Sequence, residues 1–310
     1  MKKKYLVTGA AGFIGAAIAK KLVNENFEVW TIDNLSTGVD TNLPGQIKFI
    51  EGNCQDDKCI EQLRNTKFDA ILHFAGQSSG EISFDDPIYD LRTNCESTLK
   101  LIQYGLLNGC NRFIYSSSMS VYGEVQDTPV SETSTCKPLS FYGIGKLASE
   151  NYLRIYQSKG LQPTSLRLFN VYGPGQNLLN LRQGMVSIYL AQLLKNNKIN
   201  VKGSPARYRD FIYIDDVVEI TLKLLLEGKS IGKIYNVGTG IKTTVQEILD
   251  NLIKLHDKKV SVNFLGPTPG DQLGITADIS LLSSDLRVND LIKPDEGIKK
   301  MMDWAKNDKY

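Results

Sequence analysis

The sequence predicts an α/β protein built on a Rossmann-type doubly wound parallel sheet, with a smaller C-terminal substrate domain. Three observations lead to this fold class. Short apolar, β-branched runs alternate with segments long enough for helices, a glycine-rich loop joins the first run to the first helix, and 310 residues suffice for one large or two modest domains. Strand–helix alternation of this kind implies right-handed crossovers between parallel strands.

Six apolar runs form the predicted sheet, and the segments between them carry apolar residues at the spacing of a helix that lies on a sheet. Leu99, Ile102 and Leu106, for example, recur at intervals of three and four residues. We predict strands at residues 5–7, 29–32, 47–50, 70–74, 113–117 and 164–168. We predict helices at residues 16–24, 59–65, 97–107, 141–158, 185–195 and 216–226.

The regular alternation ends near residue 170, where clusters of Gly and Pro begin. Loops of this composition commonly carry specificity on a rigid scaffold. We therefore expect a first domain over residues 1–170, with later segments near 209–238 packing back onto it, and a second domain over residues 171–310.

Composition and charge exclude several classes of function. Lys and Arg total 36 against 34 for Asp and Glu, so the net charge of +2 provides no general field for nucleic acid or an acidic membrane surface. Two histidines far apart in sequence argue against a zinc or other His-based metal site. Five cysteines without paired spacing predict reduced thiols. We therefore expect a cytoplasmic protein with no metal, no nucleic-acid partner and no membrane partner.

The loop from Thr8 to Gly15 reads Thr-Gly-Ala-Ala-Gly-Phe-Ile-Gly and stands between the first strand and the first helix. Gly9 permits a tight turn, Gly12 lets the backbone approach a pyrophosphate, and Gly15 allows the helix to pack closely on the strand. Backbone N–H groups and the positive dipole end of the helix beginning near Phe13 hold phosphate without a basic side chain. The loop therefore predicts a dinucleotide site, with ordinary turn glycines as the alternative.

An acid at the end of the second strand agrees with a dinucleotide site. Asp33 lies roughly twenty residues beyond the loop, where a carboxylate accepts hydrogen bonds from both hydroxyls of the adenosine ribose. An acid there repels the 2'-phosphate of NADP, so we predict NAD as the cofactor. Asn53 and Cys54 follow the third strand and are candidate contacts to the adenine edge, with a plain turn as the alternative.

Tyr142 and Lys146 stand four residues apart in the longest predicted helix, so their side chains share one face. A nearby ammonium group and the positive nicotinamide ring of NAD⁺ both favour a phenolate, whose ordinary pKa is about 10. The pair predicts a general acid–base site.

Ser116, Ser117 and Ser118 end the fifth strand at the sheet edge where ligands bind, and one hydroxyl is a candidate partner for the reacting oxygen. Capping of the following turn is their alternative role.

In order and spacing, these motifs resemble the extended short-chain dehydrogenase/reductase family, and within it the NAD-dependent nucleotide-sugar epimerases of the UDP-glucose 4-epimerase type. The resemblance covers most of the chain. The matching segments are residues 8–15, 33–38, 73–76, 94, 116–123, 142 with 146, 169–175, 209–212 and 277–278.

The resemblance implies an isomerase with bound NAD that epimerises a nucleotide-diphospho-sugar, at carbon 4 of a UDP-hexose, through a transient 4-keto sugar. It also implies a homodimer that pairs through helices 97–107 and 141–158. The implied catalytic residues are Ser118, Tyr142 and Lys146. The implied cofactor contacts are Gly9, Gly12, Phe13, Ile14, Gly15, Asp33, Asn34, Ser36, Thr37, Gly38, Asn53, Cys54, Phe74, Ala75, Gly76, Asn94, Ser116, Tyr142 and Lys146. The substrate contacts expected with them are Ser118, Asn170, Arg209, Arg182 and Asp271.

One difference from the dehydratases of the family favours epimerisation. Relatives that dehydrate the sugar carry an Asp-Glu pair directly after the residue matching Ser118, whereas this chain has Met119 and Ser120. Elimination by general acid–base catalysis lacks its carboxylates here. Nucleotide-sugar reductases and decarboxylases of the same family stay open as alternatives, as does a non-catalytic NAD-binding protein.

Three departures from the epimerase pattern leave the substrate open. Thr268 stands where relatives often have an Arg on the diphosphate, and Arg182 or Arg207 is a candidate replacement. Gln77 replaces a lysine that many relatives place near the cofactor. Ile275, at the position that gates N-acetylated sugars, is neither a bulky aromatic nor a small residue. The choice of base and of sugar therefore stays undecided by the sequence.

Overall fold

The computed structural model describes residues 2–125, 128–266, 273–288 and 290–307. It confirms every predicted strand and helix, with ends that move by three residues or fewer. The strands are β1 Lys4–Thr8, β2 Glu28–Asp33, β3 Lys48–Glu51, β4 Ala70–His73, β5 Arg112–Ser118, β6 Gln162–Leu168, β7 Asn170–Tyr172, β8 Lys198–Val201, β9 Tyr208–Arg209, β10 Phe211–Tyr213, β11 Ile234–Val237, β12 Thr243–Thr244, β13 Ser261–Phe264 and β14 Gly274–Ile275. The α-helices are α1 Phe13–Asn24, α2 Asp57–Gln62, α3 Pro87–Leu91, α4 Ser97–Leu107, α5 Phe141–Tyr156, α6 Met185–Asn196, α7 Ile214–Leu226, α8 Val245–Lys254, α9 Ser280–Leu286 and α10 Pro294–Asn307.

Seven strands form the central sheet in the order β11-β6-β5-β4-β1-β2-β3. The pairs from β6 across to β3 are parallel, with Tyr5 of β1 opposite Val29 of β2 and Ala70 of β4. The strand order reverses where the chain passes from β3 to β4, and ligands bind at the carboxyl edge beside such a reversal. The predicted doubly wound fold class is confirmed.

The chain divides into two compact units. In the first unit, side chains of β1, β4 and β5 pack with those of α2, α4 and α5 in one hydrophobic core. In the second unit, short strands form small sheets, β10 with β7, β9 between β12 and β14, and β13 with β8. Across the described ranges, no helix is both long and apolar enough to cross a membrane. The first unit comprises Met1–Gly123, Thr135–Leu168 and Val218–Tyr235, and the second comprises Glu124–Ser134, Phe169–Val217 and Asn236–Tyr310.

A buried ion pair fixes α5 to β6 within the first unit. Glu150 accepts hydrogen bonds from Arg167 Nε at 3.0 Å and Nη2 at 2.8 Å, and from Ser117 Oγ at 2.5 Å. Both charged side chains are almost fully buried, and the guanidinium lies 4.8 Å from the ring centre of Tyr122. The pair therefore holds the helix that carries Tyr142 against the end of β5.

We expect Glu150→Gln to lower the free energy of unfolding by about 3–5 kcal/mol, because it leaves the buried Arg167 guanidinium without its counter-charge. The matched control is Glu296→Gln, which removes the exposed partner of Lys300 four residues away and should cost less than about 0.5 kcal/mol. Denaturant unfolding of both variants measures the difference. Equal losses in the two variants would contradict a stabilising role for the buried pair.

Candidate active site

The glycine loop closes tightly between β1 and α1. Gly9 has a φ of +75°, and a Cβ there would lie 2.7 Å from the backbone nitrogen of Ala75. A Cβ at Gly15 would overlap the carbonyl oxygen of Gly9, whereas one at Gly12 would lie 3.3 Å from that oxygen. Helix α1 begins directly after the loop, at Phe13 followed by Ile14, and its first turn contains no acidic residue. Its N–H groups therefore present a positive dipole end suited to phosphate.

Asp33 ties the end of β2 to the glycine loop. Its Oδ2 accepts a hydrogen bond from the Ala11 N–H at 2.9 Å, and its Oδ1 accepts one from the Leu35 N–H at 2.9 Å. Asn34 Nδ2 donates to Asn53 Oδ1 at 2.7 Å, which links the ends of β2 and β3. One carboxylate and two amides thus stand together beside the loop, a set of polar groups suited to adenosine.

The segment after β2 folds onto the glycine loop. The Val39 N–H and Asn42 Nδ2 both donate to the carbonyl oxygen of Ala11, at 3.2 and 2.9 Å. A Cβ at Gly38 would lie 2.5 Å from the same oxygen, so only glycine permits this approach. The segment and the loop consequently form one wall.

Three more of the expected cofactor contacts differ in exposure. Ser36 and Thr37 are exposed on the segment after β2. Cys54 is buried in the hydrophobic core with Ile32 and Ile50, and burial raises the pKa of its thiol. The Cys54 side chain is therefore a core residue, which leaves its backbone for any contact with adenine.

A buried acceptor lies beside the end of β4. Phe74 and Ala75 are half-buried and Gly76 is exposed. A Cβ at Gly76, whose φ is +150°, would lie 2.5 Å from Asn94 Oδ1. This Asn94 oxygen is buried and has no hydrogen-bond partner within the described part of the chain, although Asn94 Nδ2 donates to the Gln77 carbonyl oxygen at 3.0 Å. An unsatisfied acceptor next to an open glycine backbone fits a bound polar group such as a dinucleotide.

The three serines at the end of β5 have different partners. Ser116 Oγ donates to the His73 carbonyl oxygen at 3.0 Å, and the Ser117 hydroxyl bonds the buried ion pair described above. Ser118 Oγ donates to Ser120 Oγ at 3.2 Å and accepts the Ser120 N–H at 3.1 Å. Of the three hydroxyls, that of Ser118 caps the 3₁₀ turn that follows the strand, which is the alternative role that the sequence leaves open for these serines.

Helix α5 brings Tyr142 and Lys146 to the end of β5. The helix starts after Ser140, whose Oγ accepts the Gly143 N–H at 3.1 Å as an N-cap. Lys146 Nζ donates to the carbonyl oxygen of Ser116 at 2.8 Å and lies 5.7 Å from the ring centre of Tyr142. Both side chains are buried on one face of the helix, which the four-residue spacing predicts.

Burial dominates the ionisation of this pair. It raises the pKa of Tyr142 to about 12, even though a hydrogen bond with Ser118 lowers it. Burial also lowers the pKa of Lys146 to about 8, against the charge of Asp90, which raises it. The phenolate therefore receives less help from Lys146 than the sequence predicts, because desolvation opposes both charged forms. A general base at Tyr142 needs the further positive charge that NAD⁺ supplies.

No sequence motif predicts Asp90 beside Tyr142 and Lys146, and Gln77 is identifiable from the sequence only as the replacement of a lysine. Asp90 lies next to the end of α3 with 1% of its surface exposed, and its Oδ1 accepts Gln77 Nε2 at 2.9 Å and Asn94 Nδ2 at 3.2 Å. Asn94 lies in a π-helical turn, Arg92–Glu96, between α3 and α4. The missed signal is a polar stripe: Asp90, Asn94 and Thr98 recur every four residues, as on one helix face.

In the second unit, the buried residue Asp210 follows Arg209 in sequence and bonds Asn170. Asp210 Oδ1 accepts the N–H and the hydroxyl of Thr239 at 2.8 and 2.7 Å, and its Oδ2 accepts two more backbone N–H groups at 2.8 and 3.1 Å. Its carbonyl oxygen accepts both the backbone N–H and the side-chain Nδ2 of Asn170, at 3.1 and 2.9 Å. Asp210 thereby joins the strand of Asn170 to the strand of Arg209.

The remaining expected substrate contacts are dispersed in the second unit. Arg209 is half-buried in β9, opposite Ile275 of β14, and Ile275 is 3% exposed. Arg182 is exposed on the loop that precedes α6. Asp271 lies outside the described residues.

The one histidine near the site is a core residue. His73 Nδ1 lies 2.8 Å from Thr8 Oγ1 and its Nε2 lies 3.1 Å from Thr98 Oγ1. Burial lowers the pKa of His73 to about 3, so the ring is neutral. In the part of the chain that the structure describes, no group of three or more His, Cys, Asp or Glu side chains is placed to hold a metal ion.

Known proteins share both the sequence pattern and the fold. Residues 5–238 match the model of the NAD dependent epimerase/dehydratase family. The chain is 33% identical over 310 residues to a putative UDP-glucose 4-epimerase of Methanocaldococcus jannaschii, covering 97% of this chain and 98% of that one. The crystal structure of UDP-glucose 4-epimerase with UDP-glucose from Thermotoga maritima matches with a TM-score of 0.93 and 32% identity, covering 98% and 99% of the two chains. The Thermus thermophilus UDP-glucose 4-epimerase in complex with NAD matches with a TM-score of 0.89 and 31% identity, with the same coverage.

We expect Gly15→Ala to abolish NAD retention and to lower stability by about 1–3 kcal/mol, because the added Cβ overlaps the Gly9 carbonyl oxygen and forces the loop open. Gly45→Ala is the matched control, since a Cβ there meets nothing within 4 Å. NAD binding by calorimetry and thermal unfolding measure both effects. Normal NAD affinity in Gly15→Ala would show that the loop does not hold the dinucleotide.

Proposed function

The chain belongs to the NAD dependent epimerase/dehydratase family, and from that membership we propose that it is an NAD-dependent isomerase that inverts carbon 4 of a UDP-hexose. The proposal is supported by the UDP-glucose 4-epimerases to which the chain is similar over nearly its whole length. The observation that carries it is the placement of Tyr142, Lys146 and Ser118 at the end of β5, in the unit that also holds the glycine loop.

The turn after β5 favours epimerisation over dehydration. Residues Met119–Val121 form a 3₁₀ turn directly after Ser118, and the side chain of Ser120 bonds the Ser118 hydroxyl. A dehydratase needs an acid and a base here to eliminate water, and this turn supplies a thioether and a hydroxyl instead. The reaction that the turn supports is reversible oxidation at one carbon without loss of a group.

NAD⁺, when bound, supplies reversible hydride acceptance, so the reaction consumes no cofactor. Tyr142 Oη takes the proton of the sugar hydroxyl and later returns it, which makes it the general base and then the general acid. The Ser118 hydroxyl, which lowers the pKa of Tyr142, orients the reacting oxygen. The Lys146 ammonium, anchored on the Ser116 carbonyl oxygen, favours the phenolate. Inversion then requires the keto sugar to present its other face while its nucleotide stays bound.

The cofactor contacts that we propose are the residues of the first unit named from the resemblance, from Gly9 to Lys146. For the second unit, over residues 124–134, 169–217 and 236–310, we propose the role of a nucleotide-sugar-binding domain. Asn170 and Arg209, joined through Asp210, are suited to a diphosphate because a guanidinium pairs well with phosphate. Arg182 and Asp271 complete the proposed substrate set.

A homodimer is proposed on an apolar face of the first unit. The α3–α5 face consists of Phe84, Ile88, Leu91, Phe141 and Ile144, which are 59%, 67%, 54%, 42% and 53% exposed. Two of its rings meet edge to face, with centres 5.3 Å apart. Exposed apolar patches of this kind mark interaction sites. The sequence predicts pairing through helices 97–107 and 141–158, whereas we propose pairing through α3 and α5. The reason is that Leu107, at its end, is the exposed large apolar residue of α4.

A cytoplasmic location is also proposed. A reducing compartment keeps thiols unpaired. The thiols of Cys54, Cys59, Cys95, Cys110 and Cys136 are free, which supports this location.

We expect Tyr142→Phe to retain NAD and to lower turnover by about 10²- to 10⁴-fold, because the proton-transfer group is lost. Purified protein is incubated separately with UDP-glucose, UDP-N-acetylglucosamine, UDP-glucuronate and the matching CDP, GDP and dTDP sugars, and products are identified by NMR. A product of equal mass with inverted carbon 4 is the expected result. Tyr156→Phe, which changes a second tyrosine of α5, should keep wild-type turnover. Net consumption of added NADH would identify a reductase, and release of CO₂ a decarboxylase.

We expect Ile144→Asp to convert the dimer into a monomer, because it places a charge in the middle of the α3–α5 face. Ile231→Asp, at an apolar residue 40% exposed elsewhere in the first unit, should leave the dimer intact. Light scattering at micromolar concentration measures the mass. A wild-type monomer would refute this assembly, and a dimeric Ile144→Asp would move the interface elsewhere.

A further inference from the structure

A buried carboxylate that the proposed reaction does not use lies beside the acid–base pair. Asp90 is 1% exposed, and the donors that reach its Oδ1, Gln77 Nε2 and Asn94 Nδ2, are neutral amides. An ionised acid in such a place costs free energy unless a positive charge interacts with it. Lys146 supplies that charge, and it lowers the pKa of Asp90 while burial raises it.

Gly145 allows the carboxylate to approach α5. A Cβ at Gly145 would lie 3.5 Å from Asp90 Oδ2 and 3.3 Å from Asn94 Cβ. Any larger side chain would fill the space between Asp90 and the turn that precedes Lys146. Because few water molecules screen this interior, two charges interact there without direct contact.

Among the described residues, six titratable groups face Lys146 from the elements around it, and five of them are either neutral or already paired with another charge. Burial raises the pKa of the Cys95 thiol and of the Tyr115 and Tyr142 hydroxyls, so these groups are neutral. His73 is neutral because burial lowers its pKa. The groups are Asp90 on α3, Cys95 in the π-helical turn, Tyr142 and Glu150 on α5, Tyr115 on β5 and His73 on β4.

Glu150 is compensated by its own partner. Arg167 bonds both of its carboxylate oxygens at 3.0 and 2.8 Å. Asp90 lacks such a partner, since the groups that bond it are amides. Of the two carboxylates that raise the pKa of Lys146, Glu150 is paired with Arg167, whereas Asp90 interacts with Lys146 itself.

We propose that Asp90, held by Gln77 and Asn94, is a positioning residue whose charge keeps the Lys146 ammonium protonated and so sets the pH range in which Tyr142 and Lys146 work. This inference rests on the acid–base role given to that pair above. Gln77 has a definite part in it, because its amide donor stabilises the charged form of Asp90. This role explains why Gln77 stands where a lysine near the cofactor is expected. Its side chain bonds Asp90 instead of the cofactor.

The sign of the effect follows from the charge. A negative group near Lys146 and Tyr142 makes both hold their protons to higher pH. Removal of that charge should therefore move the ionisation of both groups to lower pH. An ammonium that loses its proton earlier ends activity earlier on the alkaline side.

The test uses the NAD-bound protein and the nearly isosteric variant Asp90→Asn. We expect the alkaline limb of the kcat profile to move to lower pH by about one pH unit, so that activity beyond the limb falls about tenfold. The ring signal of Tyr142, followed by NMR with isotope-labelled tyrosine and assigned by its absence in Tyr142→Phe, should also titrate at lower pH. This second readout needs no turnover, so it tests Asp90 even if no sugar is converted.

Two further variants separate charge from shape. Glu96→Gln removes a half-buried carboxylate on the same helical segment, one that pairs with Arg92 and Lys100, and should leave the profile in place. Gln77→Leu removes a donor from Asp90 and should move the profile in the same direction as Asp90→Asn, which keeps the test available if Asp90→Asn fails to fold. A rate lowered equally at every pH, or a Tyr142 signal that titrates at the wild-type pH, would overturn the proposal and leave Asp90 as a structural acceptor.

Discussion

A positive charge buried at the carboxyl edge of the parallel sheet constrains the first unit. The Lys146 ammonium is nine-tenths or more buried and bonds one carbonyl oxygen, that of Ser116. Desolvation penalises such a charge strongly, so the surrounding fold must supply dipoles, π faces or acids to keep it. The Tyr115 ring, 4.9 Å away, and Asp90 serve this need. The constraint explains why neutral serines and a neutral histidine, rather than further cations, fill the same edge.

Three of the carboxylates that the fold buries are stabilised in different ways. Glu150 has a guanidinium that bonds both of its oxygens, and Asp210 has four donors, three of them backbone N–H groups. Asp90 has two amides. The first two arrangements neutralise or saturate the acid locally, and they join strands and helices. The two amides leave the negative charge of Asp90 to act mainly on the neighbouring Lys146. Glu150 and Asp210 therefore stabilise the fold, whereas Asp90 influences the ionisation of another side chain.

The elements and the conformation of the glycine loop were predictable because each depends on local pattern. A Cβ at Gly15 would meet the backbone of Gly9 in the same loop, and Tyr142 and Lys146 share a face through helical spacing alone. Asp90 was not predictable in this way, because its burial comes from α5 packing across α3, a contact between residues far apart in sequence. The raised pKa of Tyr142 was not predictable for the same reason. The four-residue spacing identifies Lys146 as a neighbour, but it does not show that the Tyr142 hydroxyl is buried away from water. Cys54 is the opposite case. Its position after the third strand predicts a contact to the adenine edge, but its side chain is buried in the hydrophobic core.

The segment that covers the glycine loop has a consequence for how a nucleotide is bound. Val39 and Asn42 hold the Ala11 carbonyl oxygen, and Asp33 holds the Ala11 N–H, through bonds made entirely within the protein. This wall beside the glycine loop is therefore ordered in advance, and association of a ligand there loses little conformational entropy. Such preorganisation favours slow dissociation, which suits a cofactor that leaves every catalytic cycle in the oxidation state in which it entered.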